Sequence, residues 1–472
     1  MSAKKSLTSA RCPHSIYSVY YQNKESFTDK RINWRYEKIA IMNSQLPQEN
    51  KLRHQLRSLG PGLLFASTAI GTSHLVLSTR AGAHHGMIYL VIILAAMILK
   101  YPLYEFGTRY TNATGHSLLK GYKDQGTWAI SLFLLIIFIN MFAVTAAIAA
   151  VSAGILSSMF SVTAISVPVL AGLIILVTVL LLLGGGYSGL DKLIKFISCI
   201  LLLTVLIAFF AVIIKGPIEP ITDFKPNPIL EGAGLTLLIS LLGWMPSGLE
   251  ASTMNSIWVL EKIKSKKYHP TLKESLFDFN LGYLFTTILA VLFLTIGAYT
   301  SYGSGQTLDG SATAFSNRLL NLFTTNLGQW SYSIIAIAAF GTIYGTLITV
   351  MDGFPRGFSR AIRLFKYKDI NNSEVQEIFL NRSYKIILII VGIGGFLLFY
   401  LSASSMIQIL EFATVISFIF GPIIGFINLK AIQSDAVPQS HRPSGWMIGL
   451  AYLGLVFMVG FAAYYLVMIV AN

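Results

Sequence analysis

From residue 58 onward the chain alternates long apolar stretches with short polar segments. Stretches long enough to cross a ~30 Å hydrocarbon core fall at roughly 60–82, 87–107, 128–157, 163–185, 191–214, 231–259, 277–300, 328–352, 384–402, 405–428 and 444–469. They predict an all-α polytopic membrane protein of about eleven transmembrane helices. Two stretches are interrupted: the first at Gly71-Thr72-Ser73-His74 and the sixth at Met245-Pro246-Ser247-Gly248. Unpaired backbone groups cost several kcal/mol each in lipid, so a broken spanning helix is tolerated only where it lines a cavity or is buried in protein. Breaks in matching places of two halves point to a solute site at the bilayer midplane.

The halves themselves can be compared. The first five predicted helices open with Gly60-Pro61-Gly62, and helices six to ten open near Gly232. An odd number of helices per half gives the second half the opposite orientation, which makes a 5+5 inverted repeat. The expected organisation is a basic N-terminal arm at 1–57, a core at 58–430 made of repeats 58–215 and 230–430, and a loop with one additional C-terminal helix at 431–472.

Composition agrees with the membrane reading: 54% of residues are hydrophobic and only 12% charged, which excludes an ordinary soluble domain. The formal charge of +14 is distributed as the positive-inside rule requires. The arm carries eleven cations, from Lys4 to Arg57, and basic residues return in alternate loops: Arg109, Lys120 and Lys123; Lys192 and Lys195; Lys262, Lys264, Lys266, Lys267 and Lys273; Arg356, Arg360, Arg363, Lys366 and Lys368. The N-terminus is therefore expected in the cytoplasm, the C-terminus outside, and the protein in the cell membrane. The positive charge is a matter of topology and anionic lipid, and no nucleic-acid partner is expected. The arm has no apolar segment ahead of a cleavage site, so no cleavable signal peptide is expected. Cys12 and Cys199 are too far apart in the topology to form a disulfide or a metal site.

Several strings resemble the Nramp family of proton-coupled divalent-metal transporters, which have the LeuT-type fold. Gly60-Pro61-Gly62-Leu63-Leu64 followed by Arg80-Ala81-Gly82-Ala83 looks like the family's first helix. Met245-Pro246 resembles the start of its Met-Pro-His-Asn sequence, Gly186-Tyr187-Ser188-Gly189-Leu190-Asp191-Lys192 its fourth-to-fifth loop, and Met351-Asp352-Gly353-Phe354 its Met-Glu-Gly-Phe. The resemblance implies a LeuT-type fold with broken first and sixth helices. It also marks where this chain departs. The positions of the family's Asp-Pro-Gly-Asn are Gly71, Thr72, Ser73 and His74, and those of its sixth-helix His and Asn are Ser247 and Gly248. A dehydrated divalent cation needs anionic or several convergent oxygen ligands. Thr72, Ser73, His74 and Met245 supply too little charge, so no metal is expected unless Met245 serves a carried cation.

Glu250 is a new ionisable group in the sixth stretch, and an intramembrane charge is a functional-site hypothesis by default. The candidate solute site comprises Gly71, Thr72, Ser73, His74, Trp244, Met245, Ser247, Gly248, Glu250, Ser252 and Asn255, with Trp258 nearby. His74 and Glu250 are the candidate proton-coupling residues, since the third-helix stretch Ile139-Asn140-Met141-Phe142-Ala143-Val144 has no acid to match the family's proton route. One carboxylate with hydroxyls and an aromatic face is the chemistry of a small polar organic solute such as a monosaccharide. Gly71 and Gly248 would widen the cavity for it. The competing reading is a partly hydrated, magnesium-like divalent cation, and a non-transporting receptor is disfavoured by the short loops. No phosphate-binding loop of the Walker type is present, so the driving force is expected from an ion gradient, proton first and sodium second. No enzyme activity and no cofactor are expected. Lys100 and Glu105 read as snorkelling or paired charges, Asp352 as the end of the eighth helix, and His84-His85 as solvated loop residues.

Overall fold

The computed structural model describes residues 60–160, 164–184, 187–222, 224–266, 270–305, 308, 312–366, 373–402 and 406–471, with the backbone alone at 187–199, 264–266, 326 and 373–379. The expectations placed on the 1–57 arm, on Gly186 and the side chains of Tyr187 to Lys192, on Lys195 and Cys199, on Lys264, Lys266 and Lys267, and on Lys368 lie outside the described residues.

Among the described residues the regular structure is helical throughout: α1 (Pro61–Ala69), α2 (Ser73–His85, opening with a π-helical Ser73–Ser78), α3 (Ile88–Thr114), α4 (Leu118–Asp124), α5 (Thr127–Phe160), α6 (Val167–Leu183), α7 (Tyr187–Lys215), α8 (Gly232–Trp244), α9 (Ala251–Lys266), α10 (Leu272–Ser301), α11 (Ala312–Leu327), α12 (Tyr332–Lys366), α13 (Ser373–Leu401), α14 (Met406–Ile432) and α15 (Gly445–Ala471). Among the described residues seven single helices are long and apolar enough to cross a membrane, and α1 with α2, bent by 44° at their break, makes an eighth such span. Shorter apolar helices stand at Val167–Leu183, Ile200–Lys215 and Gly232–Trp244. Each of the eleven expected stretches thus contains a helix, and the sixth is split into α8 and α9.

Backbone proximity holds the broken first span against the seventh. A Cβ on Gly62 would lie 2.0 Å from the Asp278 carbonyl oxygen, and one on Gly82 2.1 Å from that of Leu294. Small residues permit this approach where lipid supplies no hydrophobic drive between helices. Asp278 then caps the start of α1: its carboxylate accepts from Gly60 N at 2.9 Å and Gly62 N at 2.7 Å, two groups that no intrahelical partner satisfies. Opposite this pair, α5, α6, α12 and α13 pack on one another. They are the third, fourth, eighth and ninth spans, a scaffold against which the broken helices lie.

Three sequence expectations are corrected here. The segment between the seventh and eighth spans carries α11, an amphipathic helix that buries Phe315, Leu319, Leu320 and Phe323; its polar positions hid it among loop residues. His84 and His85 form the last turn of α2, with His85 buried and stacked on Tyr89 at 4.9 Å, because the helix runs on past Gly82. Asp352 lies inside α12 rather than at its end, paired with Arg356 at 2.7 Å and accepting from Tyr384 at 2.8 Å. Pairing within the helix lets a carboxylate sit there without stopping it.

Candidate functional site

The first break is a short gap in which backbone carbonyls turn to side chains. The helix ends at Ala69, whose carbonyl faces both the Ser73 hydroxyl and His74 Nδ1, the latter at 2.9 Å. His74 Nε2 lies 3.0 Å from the Thr286 carbonyl on α10, and Ser73 Oγ lies 2.7 Å from Nδ1. The imidazole is fully buried and braces α1 to α2 and α10. Thr346 of α12 donates to the Ser67 carbonyl at 2.9 Å. A Cβ on Gly71 would sit 2.4 Å from the Thr346 hydroxyl, so Gly71 admits a scaffold helix and does not widen a cavity as expected.

The second break is satisfied from α3 and the first span. Lys100 donates to Leu242 O at 2.9 Å and to Met245 O at 2.8 Å. Ser73 Oγ approaches Pro246 O at 3.4 Å, and the Tyr104 hydroxyl donates to Ser247 O. Met245 O and Ser247 O therefore each accept from a side-chain donor, as a break buried in a membrane requires, while the Ser73 hydroxyl near Pro246 O already donates to Ala69 O.

Between the breaks lies a cavity of about 30 Å³, small beside the ~150 Å³ of a cavity that holds a benzene. Thr72, Ser73, Trp244, Ser247, Gly248 and Glu250 line it, with Met254, Thr346 and apolar residues of α5 and α12. Glu250 is 4% exposed. Its Oε1 accepts from Asn140 Nδ2 of α5 at 3.2 Å. Among the described residues Glu250 Oε2, Asn140 Oδ1 and Thr72 Oγ1 are buried with no hydrogen-bond partner. A Cβ on Gly248 would lie 2.4 Å from Glu250 Oε1, so that glycine makes room for the folded-back carboxylate. Orphaned buried polar atoms are costly, and two of these, on Glu250 and Thr72, belong to residues that line the cavity.

The other candidates stand outside the cavity lining. Gly71 and His74 hold the first break. Met245 is fully buried and contributes its carbonyl to Lys100; the thioether on the cavity wall is that of Met254. Ser252 accepts from Asn428 Nδ2 at 2.8 Å and Asn255 donates to Thr108 at 2.7 Å, fastening α9 to α14 and α3. Trp258 is buried away from the lining. Sequence reasoning missed Asn140, Thr346, Tyr104 and the role of Lys100. Asn140 was visible only as a non-acid, and Lys100 as a charge near a helix end. Glu105, by contrast, pairs with Arg109 at 2.5 Å, as read. Among the described residues no group of three or more His, Cys, Asp or Glu side chains is placed to hold a metal ion.

The model of the family described as Natural resistance-associated macrophage protein-like, Nramp, matches residues 62–468. The chain belongs to the Nramp family. As an Nramp-family protein it is a multi-pass secondary transporter and not an enzyme. It is 31% identical over 423 residues to an uncharacterized protein of Pasteurella multocida, an alignment covering 89% of this chain and 94% of that one. It is 23% identical to a divalent metal cation transporter, MntH, of Lacticaseibacillus casei, over 62% of this chain and 67% of the relative. Among solved structures, a manganese transporter of Eremococcus coleocola superposes with a TM-score of 0.64 at 15% identity, covering 88% of this chain and 87% of that one. MhsT in complex with L-phenylalanine superposes with 0.57 at 12% identity over 89% and 98%. These two share the fold of this Nramp chain.

Proposed function

We propose that this Nramp-family protein is a proton-coupled carrier of a small polar organic solute, with monosaccharides as the candidate class, rather than a transition-metal transporter. The observation that supports the reading is the donor set: one carboxylate, Glu250, with Thr72, Ser73 and Ser247 hydroxyls beside the Trp244 ring. Unpartnered acceptors at Glu250 and Thr72 suit the O–H donors of a polyol, which a carboxylate binds well. The relatives named for manganese or divalent metal are matched in fold, and fold does not fix substrate. At about 30 Å³ the cavity is too small for a solute of sugar size, which requires α1–α2 and α8–α9 to part from the scaffold helices.

In this reading Thr72, Ser73, Trp244, Ser247, Gly248 and Glu250 contact solute, while Gly71, His74, Met245, Ser252 and Asn255 support them. Glu250 is the proton-carrying group, and His74 relays strain or charge between the broken helix and α10. The distribution of Lys and Arg supports a cytoplasmic N-terminus and an extracytoplasmic C-terminus in the cell membrane.

A second reading has its own support in the small cavity beside one carboxylate: a divalent cation that keeps part of its water shell, as magnesium does. Uptake into proteoliposomes under an inward proton gradient, with a labelled monosaccharide and a divalent-cation dye in parallel, separates the two. Sugar accumulation abolished by a protonophore is the expected outcome. Cation entry without sugar accumulation overturns the solute reading in favour of the hydrated ion.

A further inference from the structure

Broken-helix transporters use the C-terminal ends of their half-helices, with unwound carbonyls, to coordinate a coupling cation, while half-helix N-termini face anionic groups. The chemistry is simple: the last carbonyls of a helix have no amide partners, and the helix dipole places about half a negative charge at that end. In this protein the matching end is that of α8, where the chain leaves the helix at Met245. The carbonyls there already hold a cation. Lys100 Nζ sits 2.9 Å from Leu242 O and 2.8 Å from Met245 O, and 5.7 Å above the Tyr104 ring. The side chain comes from α3 and is 2% exposed.

The arrangement is a built site and not a snorkelling lysine. A snorkelling ammonium extends toward water, whereas this one ends on two carbonyls in the protein interior. An ammonium buried without partners would cost several kcal/mol; two carbonyls of one helix terminus and an aromatic face offset that cost. Tyr104, one turn further along α3, binds the next part of the same break through Ser247 O, so α3 grips the unwound segment at two points.

We propose that the Lys100 ammonium is a tethered cation occupying the carbonyl site at the C-terminal end of α8, in place of a free alkali cation. The positive charge that another broken-helix carrier would recruit from solution is here part of the chain, and sodium has no site at this terminus. Sodium coupling through α8 is thereby removed, whichever solute is carried. The inference needs only the broken-helix architecture and not the sugar reading.

The test uses the purified full chain and no solute, so its failure is distinct from failure of the substrate assignment. Binding of radioactive sodium and thermal unfolding in NaCl against choline chloride at equal ionic strength are measured for the native protein, Lys100→Ala and Lys100→Met. The native protein is expected to bind no sodium and to unfold at the same temperature in both salts. Lys100→Ala, with the carbonyls freed and a space beside them, is expected to unfold several degrees earlier in choline chloride and to recover with NaCl or methylammonium chloride. Lys100→Met, neutral and of similar length, is expected to lose stability that sodium does not restore, since its side chain fills the space. Saturable sodium binding to the native protein overturns the proposal. So does a Lys100→Met protein as stable as the native one, because the carbonyls then need no cation. Should Lys100→Ala fail to fold, the sodium measurements on the native chain still decide.

Discussion

At the scale of single residues the site is a problem of one carboxylate and its surroundings. Glu250 was legible in the sequence because a lone charge in an apolar stretch is conspicuous. Its partner Asn140 was not, since 110 residues separate the two and nothing local in either sequence announces the pairing. Replacing Glu250 by Gln keeps the shape and the bond to Asn140 and removes the negative charge. Hydrogen bonds to a charged group contribute ~1.5–3 kcal/mol, so solute binding measured by calorimetry is expected to weaken ~10–100-fold, and proton-driven accumulation to cease. Unchanged accumulation would place the coupling group elsewhere. Gly248→Ala tests the same carboxylate from the other side. Its Cβ would overlap Glu250 Oε1 at 2.4 Å, so the carboxylate must swing into the cavity, and solute affinity should fall while the protein stays folded. A Gly248→Ala protein with native affinity would show that the folded-back rotamer is not the binding one.

At the scale of elements the spans were legible and their joints only in part. Continuous apolar runs located a helix in each of the eleven stretches, eight spans among the described residues being long and apolar enough to cross a membrane, and Pro246 and the polar Thr72-Ser73-His74 run marked both breaks. What holds the breaks was hidden: Lys100 and Leu242 are 142 positions apart, and the carbonyl they share carries no sequence signal at all. Amphipathic α11 escaped for the opposite reason, because its polar half reads as loop. Two element-scale consequences can be measured. Asp278→Ala uncaps α1, leaving Gly60 N and Gly62 N without acceptors, and should lower stability by ~0.5–2 kcal/mol in thermal unfolding; Asp278→Asn, which keeps an acceptor, should lose less. The segment before α15 is tied to α3 through Arg109, which donates to His441 O at 3.1 Å. Burial and then the nearby Arg109 charge hold the His441 imidazole below its ordinary range. The unfolded chain therefore binds the proton more readily, and the stability contributed by neutral His441 is present above pH ~6.5 and lost as pH falls below it. His441→Gln should flatten that part of the stability profile between pH 7 and 5, and an unaltered slope would assign it to another group.

At the scale of the whole molecule, alternating access requires that α1–α2 and α8–α9 move against the α5, α6, α12 and α13 scaffold, and the structure holds a form in which the cavity between them is nearly filled. What keeps that form closed is a set of contacts that only one conformer makes, because a restraint common to both cannot shift their balance. The Arg80–Glu411 pair, 2.9 Å between α2 and α14, is the candidate to test: it joins a broken helix to a helix outside the four-helix scaffold, with the two side chains 9% and 21% exposed. An ion pair with one partly exposed partner contributes up to ~1 kcal/mol, or about fivefold in a population ratio. Glu411→Gln should therefore raise the open population by no more than that factor. With Thr72→Cys as reporter on the cavity wall and Cys12 and Cys199 replaced by Ser, the labelling rate of a small membrane-impermeant thiol reagent reads the population directly. A two- to fivefold rise in Glu411→Gln identifies the pair as a latch. A rate unchanged by Glu411→Gln would mean that the close backbone packing of Gly62 and Gly82 on α10, common to the first span along its length, sets the balance instead.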